Sequence, residues 1–386
     1  MIKMERPIYL DCHATTPMDE IVLKEMLPYF CDKFGNSSSI DHIYGNEAQS
    51  AINKARLQVA DLIGCEPEEI IFTSGATESN NLAIFGIADK LKEQGNHIIT
   101  SRTEHKAILD SCKSLESKGY DITYLEVNKN GEIDLEELKR SITSKTILIT
   151  IMSANNEVGT IAPLKKIGGI AHENNVIFHT DSAQACGHIP LNVKDMNIDM
   201  MSISGHKMYG PKGIGALYVR NKNPLVKITP IIYGGGHEKG FRSGTLNVPS
   251  IVGLGKASEL ANNEMVEISK KILKLRNMLF DGISSKVKVE INGISKNKLT
   301  QNLNLYFEDV DAKALINEVK NDLAISTGSA CNSEDIRPSH VLIGMGMSEE
   351  RAYSSIRFGL GKGTTEENIK VAINKIIESV LKLRNL

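Results

Sequence analysis

The chain has 386 residues, of which 41% are hydrophobic, and its formal net charge is -2 at pH 7. This length is enough for a large buried core in two domains, or in one domain with an appendage. The near-neutral charge gives no reason to expect nucleic acid or an acidic membrane as a direct partner. Residues 1–7 lack a signal-peptide core and no apolar run approaches the length of a membrane span, so we expect a cytoplasmic protein.

The six cysteines are scattered, with no C-x-x-C pair that would suggest zinc or a redox dithiol. Free thiols in a reducing compartment fit this distribution best. We expect five of them to be ordinary small apolar side chains and one to have a chemical role. The six are Cys12, Cys31, Cys65, Cys112, Cys186 and Cys331.

A short strand is predicted at residues 8–10, followed by a polar turn at 11–17. Such a turn is typical of a functional site and equally of a plain loop. Residues 19–30 are predicted to be helical. A second, amphipathic helix is predicted over 47–63, closed by Gly64.

Apolar runs then alternate with helical segments. The runs are short and rich in isoleucine, which predicts buried strands, and one of the intervening helices begins at the capping-box pattern of residues 134–137. This alternation is typical of a doubly wound α/β domain with a large, mostly parallel sheet. The predicted strands are 70–72, 98–99, 122–125, 147–151, 176–178, 200–203 and 214–219.

The pattern changes near residue 261, where an amphipathic helix leads into two strands of alternating polarity. We expect a smaller α+β domain there, beside the large domain. The two strands are predicted at 287–291 and 303–307, and the terminal helix is expected to be capped at 364–367. The expected division is a large domain of residues 21–261 and a small domain of residues 1–20 and 262–386.

Lys207 lies in the glycine-rich connection between two of the predicted strands. Connections of this kind hold functional side chains on a rigid scaffold. A lysine there serves as a phosphate contact, a solvated surface charge or a covalent nucleophile. A P-loop is excluded, because Pro211 occupies the lysine position of that motif and no serine or threonine follows Lys212.

Ligands of open α/β sheets bind at the carboxyl ends of the strands, so the residues that follow each apolar run belong together. Thr77 lies where a helix opens after the first run, which indicates either a phosphate cradle or a simple helix cap. His105 suits stacking on a flat ring or proton transfer. Asp181 follows a buried strand and requires a cation, such as a protonated pyridine nitrogen.

A lysine, a helix start, a histidine and a carboxylate are together what pyridoxal phosphate requires of a protein. The alternative of a metal-binding protein matches no standard zinc spacing. That alternative would use His179, Asp181, Cys186 and His188.

Seven motifs occur in a fixed order along the chain: Ala-Thr-Glu-Ser at 76–79, Thr-Glu-His at 103–105, Asn-Asn-Glu at 155–157, His-Thr-Asp-Ser-Ala-Gln at 179–184, Ser-Gly-His-Lys at 204–207, Arg-Ser-Gly-Thr at 242–245 and Ser-Thr-Gly-Ser-Ala-Cys at 326–331. Together they resemble the motifs of cysteine desulfurases of the NifS/IscS type, over nearly the whole chain. The resemblance implies a fold-type I homodimer that belongs to the class-V aminotransferases and carries pyridoxal phosphate on Lys207. It also implies conversion of L-cysteine to L-alanine, with a persulfide left on Cys331.

The resemblance further assigns roles to individual residues. The phosphate would be bound at Ala76, Thr77, Ser204 and His206, with Thr245 reaching across from the other subunit. Asp181 would meet the ring nitrogen, Gln184 the ring hydroxyl and His105 the ring face. Asn156, beside the cofactor, and Arg357 would hold the substrate carboxylate, although Arg357 also suits a structural ion pair.

Cys331 lies among small polar residues, as a reachable nucleophilic thiolate must. The resemblance implies a mobile loop that carries sulfur from the substrate to an acceptor. It implies no resident metal, only a transient contact of Cys331 with an iron–sulfur cluster. The loop at 35–39 has a serine where the family usually has a proline.

The expected acceptor is an iron–sulfur scaffold protein, a tRNA-thiolating enzyme or a DNA phosphorothioation protein. The chain ends at Leu386 without the longer tail that some family members use to meet the scaffold, so the other two acceptors stay open. The alternative function is that of a selenocysteine lyase or a related carbon–sulfur lyase of the same fold.

Overall fold

The computed structural model describes residues 6–328 and 337–385. Cys331 and the loop predicted around it lie outside the described residues. The helices are α1 (Glu20–Met26), α2 (Pro28–Cys31), α3 (Ile43–Ile63), α4 (Ala76–Lys90), α5 (Lys106–Glu116), α6 (Leu135–Ser141), α7 (Leu164–Glu173), α8 (Val248–Ser284), α9 (Ala312–Val319), α10 (His340–Gly344), α11 (Glu349–Tyr353) and α12 (Glu366–Arg384). The strands are β1 (Ile8–Tyr9), β2 (Ile70–Thr73), β3 (His97–Ser101), β4 (Asp121–Leu125), β5 (Thr146–Thr150), β6 (Ile177–Asp181), β7 (Met200–Ser204), β8 (Gly215–Val219), β9 (Val289–Ile291), β10 (Asn302–Phe307), β11 (Leu323–Ala324) and β12 (Ser355–Gly359).

A seven-stranded sheet in the order β2-β8-β7-β6-β5-β3-β4 forms the centre of the molecule. The pairs from β4 to β7 are parallel, whereas β8 runs antiparallel to both of its neighbours. Parallel neighbours need long crossover connections. Helix α5 lies in the connection between β3 and β4 and α7 in that between β5 and β6, whereas α6 lies in the connection from β4 past β3 to β5. The prediction of a large, mostly parallel α/β sheet is therefore confirmed.

Successive residues of one strand pack in different cores. Ile149 of β5 belongs to the core that α3 and α8 cover, whereas its neighbour Leu148 belongs to the core that α4 and α5 cover. Both side chains are fully buried. A strand covered on both faces has no polar side to show, which is why these strands appear in the sequence as continuous apolar runs.

A second core lies around the antiparallel sheet β12-β10-β9. Leu305 and Phe307 of β10 pack there together with Ile376 of α12. Strand β1 lies near the start of the chain. It pairs with β11, which lies between β10 and β12 in sequence. The strands predicted at 287–291 and 303–307 are confirmed as β9 and β10.

Helix α8 runs for 37 residues across the boundary predicted between residues 261 and 262. Val252 and Leu254, in its first half, pack in the core beside the large sheet, whereas Ile272 and Leu279 pack in the second core. One helix thus serves both cores. We retain the division into residues 21–261 and residues 1–20 with 262–386 as a proposal.

Helix α3 begins at Ile43, four residues before the predicted start at 47, and the helix predicted over 19–30 is divided into α1 and α2. Helix α12 is capped by Thr365 rather than Thr364, in a reciprocal arrangement with Asn368. The reason is that the Thr364 hydroxyl already accepts a hydrogen bond from the amide of Gly361 in the preceding turn. Asp134 caps α6 as predicted, by accepting a hydrogen bond from the Glu136 amide in the first turn of the helix. Within the described ranges no helix is long and apolar enough to cross a membrane.

Candidate active site

Lys207 lies where β7 ends, in the turn that leads to β8. Its Nζ donates hydrogen bonds to the carbonyl oxygens of His13, at 2.5 Å, and Ala14, at 2.8 Å. Thr16 joins the two segments further, because its hydroxyl donates to the His206 carbonyl and accepts from the Tyr209 amide. The polar turn at 11–17 therefore contacts the lysine turn directly. This favours a place in the candidate site over a plain loop.

The start of helix α4 lies beside this lysine turn. Its N-cap is Gly75, and no described side chain caps it. The hydroxyl of Thr73 lies 2.8 Å from that of Ser79 and accepts only a long hydrogen bond, of 3.4 Å, from the amide of Gly75, so the amides of the first turn receive no cap from it. A helix start of this kind carries partial positive charge and exposes amides to an anion. Ala76 and Thr77 are its first residues.

Two glycines hold the helix start against β7. A Cβ placed on Gly215 would lie 2.3 Å from the carbonyl oxygen of Ile203 and 2.7 Å from the Cα of Gly75. Gly215 is also the sheet partner of Ser204, the last residue of β7. The missing side chain therefore lets α4 begin directly beside the end of β7, the strand that Lys207 follows.

His206 is half-buried, and its Nδ1 lies 3.0 Å from the hydroxyl oxygen of Thr15. Burial, with the charges of Lys207 and Lys212, lowers the pKa of His206 to about 4. The ring is therefore neutral near neutral pH. It can give a hydrogen bond to a phosphate, but it adds no charge to the site.

Asp181 ends β6 and is 5% exposed. Its carboxylate accepts hydrogen bonds from the Asn80 amide nitrogen at 2.7 Å and from the Ala183 backbone amide at 2.9 Å. Both donors are neutral. A buried carboxylate satisfied only by neutral donors suits a cationic ligand, because burying an uncompensated charge is costly.

Gln184 reaches the same region through His13. Its Oε1 lies 2.8 Å from His13 Nδ1, and its Nε2 donates to the His13 carbonyl at 3.0 Å. That carbonyl is also an acceptor for Lys207. The structure therefore brings Gln184 and Lys207 together at one backbone oxygen.

His105 is the N-cap of α5, and its Nδ1 accepts a hydrogen bond from the Ala107 amide. In the neutral ring the proton therefore resides on Nε2. His105 lines a cleft together with Asn156, Gly328 and His340. The cleft connects His105 with one end of the segment that carries Cys331.

Arg357 of β12 is 4% exposed and forms an ion pair with Asp11 at 2.8 Å. Its Nη1 also donates to the backbone carbonyl of Asn156 at 3.0 Å. Its Nε is buried without a partner among the described residues. The structural ion pair considered for Arg357 is thus present, and the same guanidinium contacts the backbone of Asn156.

Thr245 is exposed in the loop that precedes α8. In the same loop, Arg242 pairs with Glu78 of the first turn of α4 at 2.8 Å. The structure thus anchors this loop to the helix start of its own chain. The assignment of Thr245 to the partner subunit's phosphate stays a prediction.

The metal-site alternative fails on His179. Its Nδ1 lies 2.8 Å from the Thr150 hydroxyl oxygen and its Nε2 lies 2.9 Å from that of Ser202, so both ring nitrogens are already engaged. Among the residues that the structure describes, no cluster of three or more potential ligands could hold a metal ion.

The cysteines of the described part are free, and most are buried. Burial raises the pKa of the Cys112 thiol and of the Cys186 thiol to about 12. Cys12, beside Lys207's turn, has its pKa raised to about 12 by burial and by Asp11. These three thiols are therefore poor nucleophiles near neutral pH.

Sequence reasoning missed two residues of the site. Asn80 follows Ala76 by four residues, so the helical spacing could have placed both on one face. Glu104 belongs to the Thr-Glu-His motif, but the histidine drew the functional interpretation. The Glu104 carboxyl is fully buried, accepts from Ser101 and Met152, and has one oxygen without a described partner.

The comparisons with known proteins agree with this geometry. The model of the family described as Aminotransferase class-V matches residues 8–371. A protein of Rickettsia bellii named cysteine desulfurase IscS is 53% identical over 381 residues, which cover 98% of this chain and 92% of that protein. A solved structure titled NifS-like protein superposes with a TM-score of 0.91 at 37% identity, covering 99% of this chain and 100% of its own. Another, titled SspA in complex with cysteine, gives a TM-score of 0.81 at 42% identity, covering 91% of this chain and 98% of its own.

For the pyridoxal phosphate that the resemblance implies, we expect Gly215→Ala to weaken binding to the apo-protein by up to about thirtyfold. The new Cβ would meet backbone atoms on two sides, so the start of α4 must move away from Ser204. A favourable helix-terminus interaction with an anion is worth up to about 2 kcal/mol, which corresponds to that factor. Fluorescence titration of the apo-protein measures it.

Gly169→Ala is the matched control, because a Cβ on this glycine of α7 meets nothing within 4 Å. It should bind the cofactor like the unchanged protein. Equal affinity for Gly215→Ala and Gly169→Ala would contradict the placement of the phosphate at α4.

We expect Glu104→Gln to have a higher free energy of unfolding than the unchanged protein, by a difference that grows as the pH rises. Burial raises the pKa of Glu104 from 4.5 to about 8, so folding takes up a proton between these values and stability falls there. Glutamine keeps an oxygen for Ser101 and Met152 but does not titrate. Urea unfolding of the apo-protein at about pH 5.5 and pH 8.5 measures the difference.

Glu93→Gln, at an exposed position, is the control and should show the same small difference at both pH values. A pH-independent difference for Glu104→Gln as well would show that Glu104 is ionised in the folded protein.

Proposed function

The chain belongs to the aminotransferase class-V family, and on that premise we propose that it is a cysteine desulfurase that uses pyridoxal phosphate. The observation that carries this proposal is the meeting of three groups at one edge of the sheet: the amine of Lys207, the uncapped start of α4 and the buried carboxylate of Asp181. Cysteine as the substrate is supported by the full-length relatives named cysteine desulfurase and by the SspA structure titled as a complex with cysteine.

The residues present fit the proposed cofactor. The start of α4, with Ala76 and Thr77, offers amides to its phosphate, and Ser204 and neutral His206 lie beside that start. Asp181, whose described donors are neutral, suits a protonated ring nitrogen. Gln184 has an N–H for the ring hydroxyl, His105 would cover the ring face, and Asn156 would lie beside the cofactor. Thr245 of a second subunit would complete the phosphate site.

Pyridoxal phosphate, when bound, supplies an electron sink that weakens the bonds around the substrate's α-carbon. Lys207 would hold the cofactor and then move the α-proton at Nζ. Its amine is fixed by two carbonyl oxygens, which orient it without adding a negative charge beside it. Proton exchange with the substrate would involve His105 at Nε2, since Nδ1 is engaged by Ala107.

The substrate carboxylate would bind at Arg357 and Asn156. The guanidinium is already paired with Asp11, so the substrate shares it rather than meeting a free cation. A charge-assisted hydrogen bond there suits a carboxylate.

Sulfur transfer would take place at Cys331. Its thiolate attacks the substrate sulfur, so that a sulfur–sulfur bond forms as the carbon–sulfur bond breaks. The electron pair of the broken bond stays on the substrate carbon, which takes up a proton and leaves as L-alanine. The persulfide then passes its outer sulfur to an acceptor thiol, which would belong to an iron–sulfur scaffold, a tRNA-thiolating enzyme or a DNA phosphorothioation protein.

We also propose that the chain works as a homodimer. Large apolar side chains are exposed along α1, α2 and the loop that follows, including Leu27 at 54%, Phe30 at 56% and Phe34 at 64%. Exposed apolar side chains in such number are typical of an interface. The exposed position of Thr245 is compatible with a contact across that interface.

The second candidate function is selenocysteine lyase activity on the same fold. Both reactions would use Lys207 and Asp181 in the same way. They differ at Cys331, because only transfer of sulfur from cysteine requires a thiol acceptor on the protein. The two candidates are therefore separable by substituting that one residue.

We expect Lys207→Ala to abolish both alanine formation from cysteine and the visible absorption band of the lysine-bound cofactor. The substitution removes the only amine that the structure holds at the His13 and Ala14 carbonyls within its described residues. Lys212→Ala, at an exposed position five residues along the same turn, should keep both signals. Full activity of Lys207→Ala would contradict the proposed function.

We expect Cys331→Ala to lower alanine release from L-cysteine by at least about a hundredfold, because no nucleophile remains to accept the sulfur. The visible absorption band should stay, since Lys207 is unchanged. Cys31→Ala, which removes an exposed thiol elsewhere, is the control and should retain activity. If Cys331→Ala released alanine from L-cysteine at the normal rate, the persulfide route would be wrong.

A further inference from the structure

His13 is a buried histidine without a role in the proposed reaction. It lies in the turn between β1 and α1 and is 2% exposed. Its hydrogen-bond partners come from three distant parts of the chain: Gln184 after β6, Lys207 after β7, and Asn302 at the start of β10. The ring contacts Gln184 and Asn302, and the backbone carbonyl contacts Lys207, so this one residue fixes the relative positions of all three.

The contacts of His13 determine which ring nitrogen carries the proton. The amide nitrogen of Asn302 lies 3.2 Å from Nε2 and can only donate, so Nε2 is the acceptor. Nδ1 therefore carries the hydrogen and donates to Oε1 of Gln184 at 2.8 Å. The orientation of Asn302 is itself set by a second bond, from the same nitrogen to the carbonyl oxygen of Glu157.

The ring stays neutral in this environment. Burial lowers the pKa of His13 well below its ordinary value, and the positive charges of Arg357 and Lys207 act in the same direction. A neutral ring between a donor and an acceptor has one tautomer that satisfies both. His13 is thus fixed in orientation and in protonation.

The fixed His13 ring in turn restricts the orientation of the Gln184 side-chain amide. Its Oε1 is taken by the His13 ring and one hydrogen of its Nε2 by the His13 carbonyl. The amide therefore cannot exchange its two ends without setting oxygen against oxygen. What remains for a ligand is the second N–H of Nε2.

We propose that His13 is a positioning residue for the cofactor, which orients the Gln184 amide so that its N–H, and not its oxygen, meets the ring hydroxyl. Through Asn302 it also ties this orientation to strand β10 of the second core. The inference rests on the proposed function, because it needs pyridoxal phosphate as the ligand.

Two substitutions of His13 form a matched pair. Asparagine places its amide nitrogen near the position of Nδ1 and can still donate to Gln184. Glutamine places its amide one atom farther, near the position of Nε2, and leaves Oε1 of Gln184 without a donor. The backbone carbonyl that holds Lys207 is the same in both.

The test measures the dissociation constant of pyridoxal phosphate for the apo-proteins by fluorescence titration, with thermal unfolding as the check of folding. We expect His13→Asn to bind within about threefold of the unchanged protein and His13→Gln to bind about tenfold more weakly, because a buried acceptor is left unsatisfied. Gln184→Leu, which removes the partner, should show at least the same loss. Added to Gln184→Leu, His13→Gln should weaken binding less than about twofold further.

Equal affinities for His13→Asn and His13→Gln would overturn the proposal, as would losses that add fully in the double variant. If His13→Gln does not fold, Gln184→Leu still decides, since unchanged affinity there contradicts the role of the amide. Failure of the unchanged protein to bind pyridoxal phosphate would instead contradict the proposed function, and the two failures are therefore distinguishable.

Discussion

The amino group of Lys207 is held by two carbonyl oxygens of a segment that lies 193 and 194 residues away in sequence. This contact makes the start of the chain a wall of the site, and Thr16 strengthens it with two further bonds to the lysine turn. Carbonyl oxygens orient an amine through hydrogen bonds without the full charge of a carboxylate. The amine is thus positioned for covalent chemistry and is not committed to an ion pair with these partners.

One helix organises the charges around that amine. The uncapped start of α4 offers partial positive charge, and Asn80, in the same helix, binds the carboxylate of Asp181. Ala76 and Asn80 are about 6 Å apart along the helix axis, at a rise of about 1.5 Å per residue. A phosphate group and a ring nitrogen of one small ligand can therefore be served by a single rigid element. The close approach of Gly75 and Gly215 sets the distance of the helix start from the neighbouring strands of the sheet.

The sequence predicted the sheet, the strand-to-strand turn with Lys207 and the family, because buried parallel strands and short motifs leave local signals. The family prediction is confirmed by the full-length match. The continuity of α8 was missed, since its apolar stripe changes partner from one core to the other without a break in the helix. The pair between Arg357 and Asp11 and the contact between His13 and Asn302 join residues 346 and 289 positions apart, and such pairings leave no trace in local sequence.

The central claim is that Lys207 is the residue that binds the cofactor covalently, and it is tested most directly by locating the bond. The protein loaded with pyridoxal phosphate is reduced with borohydride, digested and analysed by peptide mass spectrometry. The account predicts a stable cofactor label on the peptide that contains Lys207. A label on another lysine, such as Lys212 or Lys362, with the Lys207 peptide unmodified, would contradict it.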